Sequence, residues 1–161
     1  AVHGGAPNCS GHRLASGQAR PQGGRQVILV DSSVWIDFFR GASNTATDQL
    51  VRLLKGGRLE AEVGVADLVV YEVMRGFDQP KDRQRARDLL LAIPVVEVGG
   101  LDNALLAAEH YSALRLRGYT IRSPIDMLLA SYCITHGHLL LHRDADFDVL
   151  KTLRGLQTWP H

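Results

Sequence analysis

A chain of 161 residues with 45% hydrophobic content is long enough to form one globular domain with a buried core. Its formal net charge of +1 excludes a strongly acidic or strongly basic protein, so any contact with nucleic acid must come from local basic patches. The longest apolar runs are too short to span a bilayer, and the N-terminus lacks the apolar segment of a secretion signal, so we expect a cytoplasmic protein.

The first 26 residues differ in composition from the remainder of the chain. They are dominated by Gly, Ser, Pro, Gln and Arg and show no hydrophobic period, so we interpret 1–26 as a flexible N-terminal extension or a tag-like leader and 27–161 as the folded domain. The two cysteines, Cys9 and Cys133, offer neither a disulfide framework nor a paired metal spacing, which indicates a reducing compartment.

After this segment, apolar runs alternate with helical patterns, which is typical of a parallel sheet flanked by helices. The predicted strands are 27–31, 62–65, 94–98, 138–142 and 156–158. The predicted helices are 33–40, 45–55, 68–74, 80–91, 102–117 and 124–136. Residues 144–147 are predicted to form a loop at the carboxyl end of the fourth strand.

Three of the helix boundaries carry specific signals. Asp67 is predicted to be the N-cap of the third helix, and Gly76 is predicted to close it. Ser123 and Pro124 are typical of a cap followed by Pro at the first helical position, which puts Asp126 in the first turn of its helix.

Acidic residues stand at the edges of four apolar segments that are far apart in sequence: Asp31, Glu72, Asp126 and the pair Asp144 and Asp146. In an open α/β sheet, ligands bind outside the carboxyl ends of the strands, where these positions can converge. Carboxylates that share a small pocket repel one another, and a hard divalent cation such as Mg²⁺ or Mn²⁺ removes that repulsion. The pattern therefore predicts a metal site suited to activating water for attack on a phosphodiester.

Four segments in this order resemble the acidic motifs of PIN-domain ribonucleases, and most closely those of the VapC-type toxins of type II toxin–antitoxin systems. The segments are Val30-Asp31-Ser32-Ser33-Val34-Trp35-Ile36, Tyr71-Glu72-Val73-Met74-Arg75-Gly76, Ser123-Pro124-Ile125-Asp126-Met127-Leu128-Leu129-Ala130 and His142-Arg143-Asp144-Ala145-Asp146-Phe147. The resemblance covers 27–158.

The resemblance implies a three-layer α/β/α PIN domain that acts as a Mg²⁺- or Mn²⁺-dependent endoribonuclease, cuts transfer or ribosomal RNA and so inhibits translation. It also implies a homodimer that binds a VapB-type antitoxin. By motif, the catalytic metal ligands would be Asp31, Glu72, Asp126 and Asp144. Asp146 would be a further ligand or a partner of the ligands, and Ser33 would bind a phosphate oxygen or orient Asp31.

Each acidic residue also has an ordinary structural interpretation. Asp31 could cap a helix, Glu72 could pair with Arg75, and Asp126 could complement the helix dipole. Asp144 and Asp146 could be turn acids, and which of the two is the direct ligand stays open.

Other residues carry weaker hypotheses. Trp35, Phe38 and Phe39 lie at helical spacing and are assigned to the core in part; in this family a groove near the first helix often receives the antitoxin. Asp37 is expected to be solvated or to face a partner. A transition-metal site at His136, His138 and His142 lacks a further ligand in the sequence, and the Arg-rich stretches are ordinary solvated helix faces.

Two other functions remain as alternatives. A catalytically silent PIN-like module could bind RNA or a protein partner, although no member of the acidic set is missing. A phosphotransfer or phosphatase domain would need a second acid two residues after Asp31, where the sequence has Ser33.

Overall fold

The computed structural model describes residues 26–56 and 62–160, and the predicted N-terminal extension lies almost entirely outside these ranges. The strands are β1 (Val27–Val30), β2 (Glu62–Ala66), β3 (Val95–Val96), β4 (Leu139–Leu141) and β5 (Gln157–Thr158). The helices are α1 (Ser32–Phe39), α2 (Thr45–Leu54), α3 (Asp67–Met74), α4 (Pro80–Leu90), α5 (Leu101–Arg115), α6 (Pro124–His136) and α7 (Ala145–Arg154).

The strands form one parallel sheet in the order β3-β2-β1-β4-β5, which confirms the predicted fold class. The helices pack in two groups, α1 to α4 and α5 to α7, to give a three-layer α/β/α architecture. Strands β1 and β4 are adjacent, and the amide of Asp31 continues their pairing by donating to the carbonyl of Leu141 at 2.9 Å. The carboxyl ends of these two strands therefore lie side by side.

The core is built mainly from the apolar strands and the inward faces of the helices. Ile28, Leu29 and Leu140 are fully buried in the sheet. Trp35 is also fully buried, whereas Phe38 and Phe39 are partly buried, so the predicted aromatic stripe is core in part. None of the described helices is long and apolar enough to cross a membrane.

The close contact of β2 with β1 depends on Gly64. A Cβ atom at this position would lie 2.9 Å from Cγ1 of Val27, 3.2 Å from the carbonyl oxygen of Pro94 and 3.3 Å from Cδ2 of Leu29. These distances are shorter than ordinary van der Waals contacts, so only glycine fits here without displacement of the neighbouring strand.

The predicted loop at 144–147 was wrong, because it is the start of α7. Asp144 is the N-cap of this helix, and its Oδ1 accepts a hydrogen bond from the amide of Asp146 at 2.9 Å. Phe147 and Leu150 bury one side of the helix, and Gly155 ends it at φ 77°. The cap, the i, i+3 apolar spacing and the terminal glycine are all visible in the sequence as helix signals.

Asp67 is the first residue of α3, not its N-cap as predicted. Ala66 occupies the cap position without a side-chain hydrogen bond. The Oδ1 atom of Asp67 instead accepts from the amides of Leu68 at 2.8 Å and Val98 at 3.0 Å. Asp67 thus connects α3 to the chain that follows β3, which local sequence signals do not report.

Candidate active site

Asp31 lies at the end of β1 and begins α1 as its N-cap. Its Oδ2 accepts from the amide of Ser33 at 3.0 Å and from the hydroxyl of Ser33 at 2.5 Å, so Ser33 orients this carboxylate. The side chain is buried, with 3% of its surface exposed. Burial raises the pKa of Asp31, the hydrogen bonds from Ser33 and Ser32 oppose the rise, and the charge of Glu72 adds to it.

Asp126 lies in the first turn of α6, where Ser123 is the N-cap as predicted. The hydroxyl of Ser123 accepts from the amide of Asp126 at 3.2 Å. Burial raises the pKa of Asp126 to about 7, and the charges of Asp31, Glu72 and Asp144 add to this rise. Carboxylates from three other segments of the chain thus raise the pKa of Asp126, which indicates that the four segments converge here.

Glu72 projects from α3 toward the same region and is half-buried. Its Oε2 is buried and has no hydrogen-bond partner among the described residues. The structure shows no ion pair between Glu72 and Arg75; the guanidinium of Arg75 instead lies 5.6 Å from the ring centroid of Tyr71. A buried carboxylate oxygen without a donor is costly, and a bound cation is one way to offset that cost.

Asp144 and Asp146 lie on a cleft of about 230 Å³ at the N-termini of α6 and α7, here called the acidic cleft. Its wall is formed by Arg122, Ser123, Asp126, Asp144, Ala145 and Asp146. Asp144 is exposed and acts on the pKa of Asp126, whereas Asp146 is half-buried and its Oδ2 accepts from the amide of Arg122 at 3.4 Å. Both candidates for the fourth metal ligand therefore line the cleft, Asp144 with an exposed carboxylate and Asp146 with a carboxylate that accepts a backbone hydrogen bond.

The chemistry of this donor set fits a hard divalent cation. It consists of carboxylates only, burial and then mutual repulsion raise the pKa of Asp126 and Asp31, and one buried oxygen of Glu72 has no donor among the described residues. As the side chains stand, however, no three His, Cys, Asp or Glu residues within 26–56 and 62–160 form a group that could hold a metal ion. An ion would have to draw the carboxylates together.

The structure adds an ion pair that sequence reasoning missed. Arg143, directly before Asp144, pairs with the carboxylate of Asp37 in α1, which also accepts from Nδ2 of Asn44 at 3.1 Å. Asp37, which we predict to be solvated or to face a partner, is therefore paired within the chain and is not simply solvated. Their separation by more than 100 residues gives no local signal of this contact.

The histidines of the predicted alternative metal site have separate surroundings. The rings of His136 and His138 are stacked at 5.9 Å next to Tyr132, whereas the ring of His142 is buried against Phe147 at 5.1 Å. Cys133 is fully buried, and burial raises the pKa of its thiol far above the ordinary value. His142 and Cys133 therefore pack within the core, His138 is half-buried, and His136 is exposed.

Comparisons with known proteins identify the family of this chain. The family model described as PIN domain matches residues 28–153. The VapC ribonuclease Mb1587 of Mycobacterium bovis and the ribonuclease VapC11 of Mycobacterium tuberculosis are each 32% identical to this chain over 131 residues, which is 81% of this chain and 96% of either relative.

Solved structures share the fold at lower identity. A VapBC2 chain from Rickettsia felis, in a complex with promoter DNA, aligns with a TM-score of 0.65 and 16% identity and covers 84% of this chain and 100% of its own. A chain of FitAcB from Neisseria gonorrhoeae aligns with a TM-score of 0.64 and 19% identity over 83% of this chain and 97% of its own. On the sequence matches, this chain belongs to the PIN-domain family and, within it, to the VapC ribonucleases.

Proposed function

We propose that this protein is a metal-dependent endoribonuclease and the toxin of a VapBC-type toxin–antitoxin pair. The observation that carries the proposal is the convergence of Asp31, Glu72 and Asp144 on Asp126, whose pKa is raised to about 7 by burial and further by these three charges. Such a group of carboxylates destabilises the domain, and destabilising clusters of this kind are typical of functional sites. The VapC relatives are named as ribonucleases.

The proposed ion is Mg²⁺ or Mn²⁺, held by Asp31, Glu72, Asp126 and Asp144, with Asp146 as a further ligand or hydrogen-bonding partner. When bound, it supplies charge neutralisation at the phosphate and a water of lowered pKa. Ser33 keeps Asp31 aimed at the site through its two hydrogen bonds. Asp126, whose pKa is raised to about 7 by burial and the neighbouring carboxylates, would hold the ion in its ionised form, because ligands bind metals when deprotonated.

Hydrolysis would add the oxygen of water to phosphorus and break one phosphorus–oxygen ester bond, with a proton passing to the leaving oxygen. The acidic cleft is open to solvent on the side of Asp144, so an RNA backbone can reach it. Transfer RNA and ribosomal RNA are the proposed substrates, and cutting them in the cytoplasm would inhibit translation. A VapC20 structure from Mycobacterium tuberculosis is described as a sarcin-ricin loop cleaving toxin, which supports this substrate class.

The proposed partner is a VapB-type antitoxin, in a hetero-oligomer built on a toxin homodimer. Several structural neighbours are VapBC complexes, among them VapBC-1 from Haemophilus influenzae and the VapBC2 complex named above. An antitoxin that covers the acidic cleft would need a positive group there, since the cleft concentrates negative charge.

The test is cleavage of a pool of transfer and ribosomal RNA by the purified, antitoxin-free chain in Mg²⁺ or Mn²⁺ against EDTA. Asp126→Asn and Asp31→Asn keep the side-chain shape and are expected to remove discrete metal-dependent cuts. Asp48→Asn, on the exposed surface of α2, is the matched control and should cut normally. Binding of RNA without cutting by the folded wild type would favour a catalytically silent module instead.

A further inference from the structure

A second cavity lies next to the acidic cleft and has a different character. It is a mostly apolar groove of about 400 Å³ between α5 and α6, here called the apolar groove. Its lining includes Ala104 and Ala107 of α5, Met127 and Leu128 of α6, and the ring of Tyr111. The small alanine side chains leave space along α5, and Tyr111 and Met127 supply larger apolar surfaces.

The apolar groove and the acidic cleft are neighbours, because Arg122 forms part of the wall of both. Its backbone amide donates to Asp146, which ties this wall to the N-terminus of α7. The first turn of α6 separates the two cavities: Ser123 and Asp126 face the cleft, and Pro124 and Met127 face the groove. A ligand in the cleft would therefore have the groove as its direct neighbour.

The side chain of Arg122 is exposed, and no carboxylate within the described ranges forms an ion pair with it. A free guanidinium beside a group of carboxylates can bind an anion that enters between them. Side by side, the acidic cleft then offers a site for a cation, Arg122 offers a site for an anion, and the apolar groove offers an apolar slot.

An RNA strand carries groups in a matching arrangement, since each phosphate is followed by a sugar and a base with two flat apolar faces. Proteins that read single-stranded RNA hold unstacked bases against aromatic side chains or the planes of Arg side chains. The groove volume lies within the usual range for small-ligand sites. An apolar side chain of a protein partner would also fit the groove, but it would leave Arg122 without a role.

We propose that the apolar groove is a subsite for an unstacked nucleobase next to the phosphodiester in the acidic cleft, with Arg122 holding the intervening phosphate. This inference rests on the proposed ribonuclease function and deepens it by naming where the substrate is read. Tyr111, Met127 and Arg122 are then residues of substrate selection and not of metal binding.

The test fills the groove without altering the cleft. Ala104→Phe places a ring in the groove, and Leu105→Phe places the same ring one residue further along α5, on its exposed outer face. Arg122→Gln removes the positive charge. Each change is made in an Asp126→Asn background, where RNA stays intact, and binding of a short fluorescein-labelled single-stranded RNA is measured by anisotropy in Mg²⁺.

A second probe is a ribose-phosphate strand of the same length without bases. Because both probes are measured on the same variant, a general loss of folding would weaken both, whereas loss of the groove would weaken only the base-containing strand. We expect the unaltered groove to bind the base-containing strand about tenfold or more tightly than the baseless strand. Ala104→Phe should lose that preference, Leu105→Phe should keep it, and Arg122→Gln should weaken both probes. Circular dichroism confirms that each variant is folded.

Equal binding of the two strands, or equal behaviour of Ala104→Phe and Leu105→Phe, would overturn the proposal. So would an Ala104→Phe variant that binds RNA normally and loses a purified VapB-type antitoxin, since the groove would then belong to the protein partner. Cleavage by the wild-type Asp126 protein is scored separately. Base-dependent binding without cleavage would contradict the proposed enzyme and leave the nucleobase subsite supported.

Discussion

The amino and carboxyl ends of the central strands β1 and β4 differ in how their polar groups are paired. At the amino ends, Nε2 of Gln26 donates to the carbonyl of Gly137 at 3.0 Å, and the amide of Val27 donates to Nδ1 of His138 at 3.4 Å. At the carboxyl ends, Asp31 and Asp144 lie near Asp126, whose pKa they raise. One end pairs donors with acceptors, and the other gathers acceptors of like charge.

The residues at the amino ends stabilise the fold, whereas the carboxylates at the carboxyl ends destabilise it. Paired polar groups contribute modestly to stability, whereas buried carboxylates that face one another reduce it. The domain offsets this loss with its apolar core, with the helix caps at Asp31 and Ser123, and in the proposed function with a cation. Substitutions at the two ends should therefore have opposite effects on activity and on stability.

The largest expected effect is that of Asp126→Asn on RNA cleavage. We expect the cleavage rate to fall by about 10²–10³-fold, because the change removes one of the proposed charged metal ligands. In the metal-free protein, the same change should raise the midpoint of thermal unfolding near pH 8, since it removes a carboxylate whose ionisation is disfavoured. A variant with lower metal-free stability and normal cleavage would contradict both statements.

The next effect is a pH dependence of stability that comes from Asp126. Its pKa is about 7 in the folded protein against 3.8 for the ordinary side chain, so the folded state binds more protons between these values. The contribution to stability is fully present below pH 3.8 and is lost as pH rises through about 7. Urea unfolding in EDTA, compared with Asp126→Asn, isolates it as the difference between the two pH profiles.

A smaller effect is expected at the amino ends of the strands. His138→Ala removes the acceptor for the Val27 amide and the ring stacked on His136, and should lower the free energy of unfolding by about 1 kcal/mol. Cleavage should stay at the wild-type rate, because this residue lies away from the acidic cleft. A loss of cleavage without a loss of stability would show that the two ends are not separate in function.

The smallest effect is that of the ion pair between Asp37 and Arg143, which links α1 to the segment before Asp144. Its arginine is about half exposed, so solvent screens the pair. A double-mutant cycle with Asp37→Ala and Arg143→Ala should give a coupling energy of about 0.5 kcal/mol in chemical denaturation. The coupling should fall further at high salt; a coupling insensitive to salt would indicate packing in place of charge.

Much of this fold could be predicted from the sequence, because most of its signals are local. The apolar run before Asp31 and the Ser123-Pro124 cap each depend on neighbouring residues, and both were predicted in the right places. Helix α7 was missed because two acids at its start, Asp144 and Asp146, are typical of a turn as well as of a helix N-terminus. The apolar spacing after them was the signal that distinguished the two.

The site was predictable only as a set of positions. Spacing indicated which acids could meet, and the family resemblance offered Ser33 as a residue that orients Asp31. Neither indicated that Arg143 pairs with Asp37 or that Arg122 lies between two cavities. These contacts join residues from different elements, so their geometry depends on how the helices pack. The role of Asp146 stays a prediction.

The size of the residue at position 64 affects the end of the sheet where Asp31 lies. Because a methyl group there would meet Val27 and Leu29 at close range, even the smallest side chain would push on β1, and β1 ends at Asp31. A position on the neighbouring strand can thus alter the position of Asp31 by its size alone. Directed evolution that sampled every residue of this domain should recover almost no substitution at 64, although the residue has no chemistry of its own.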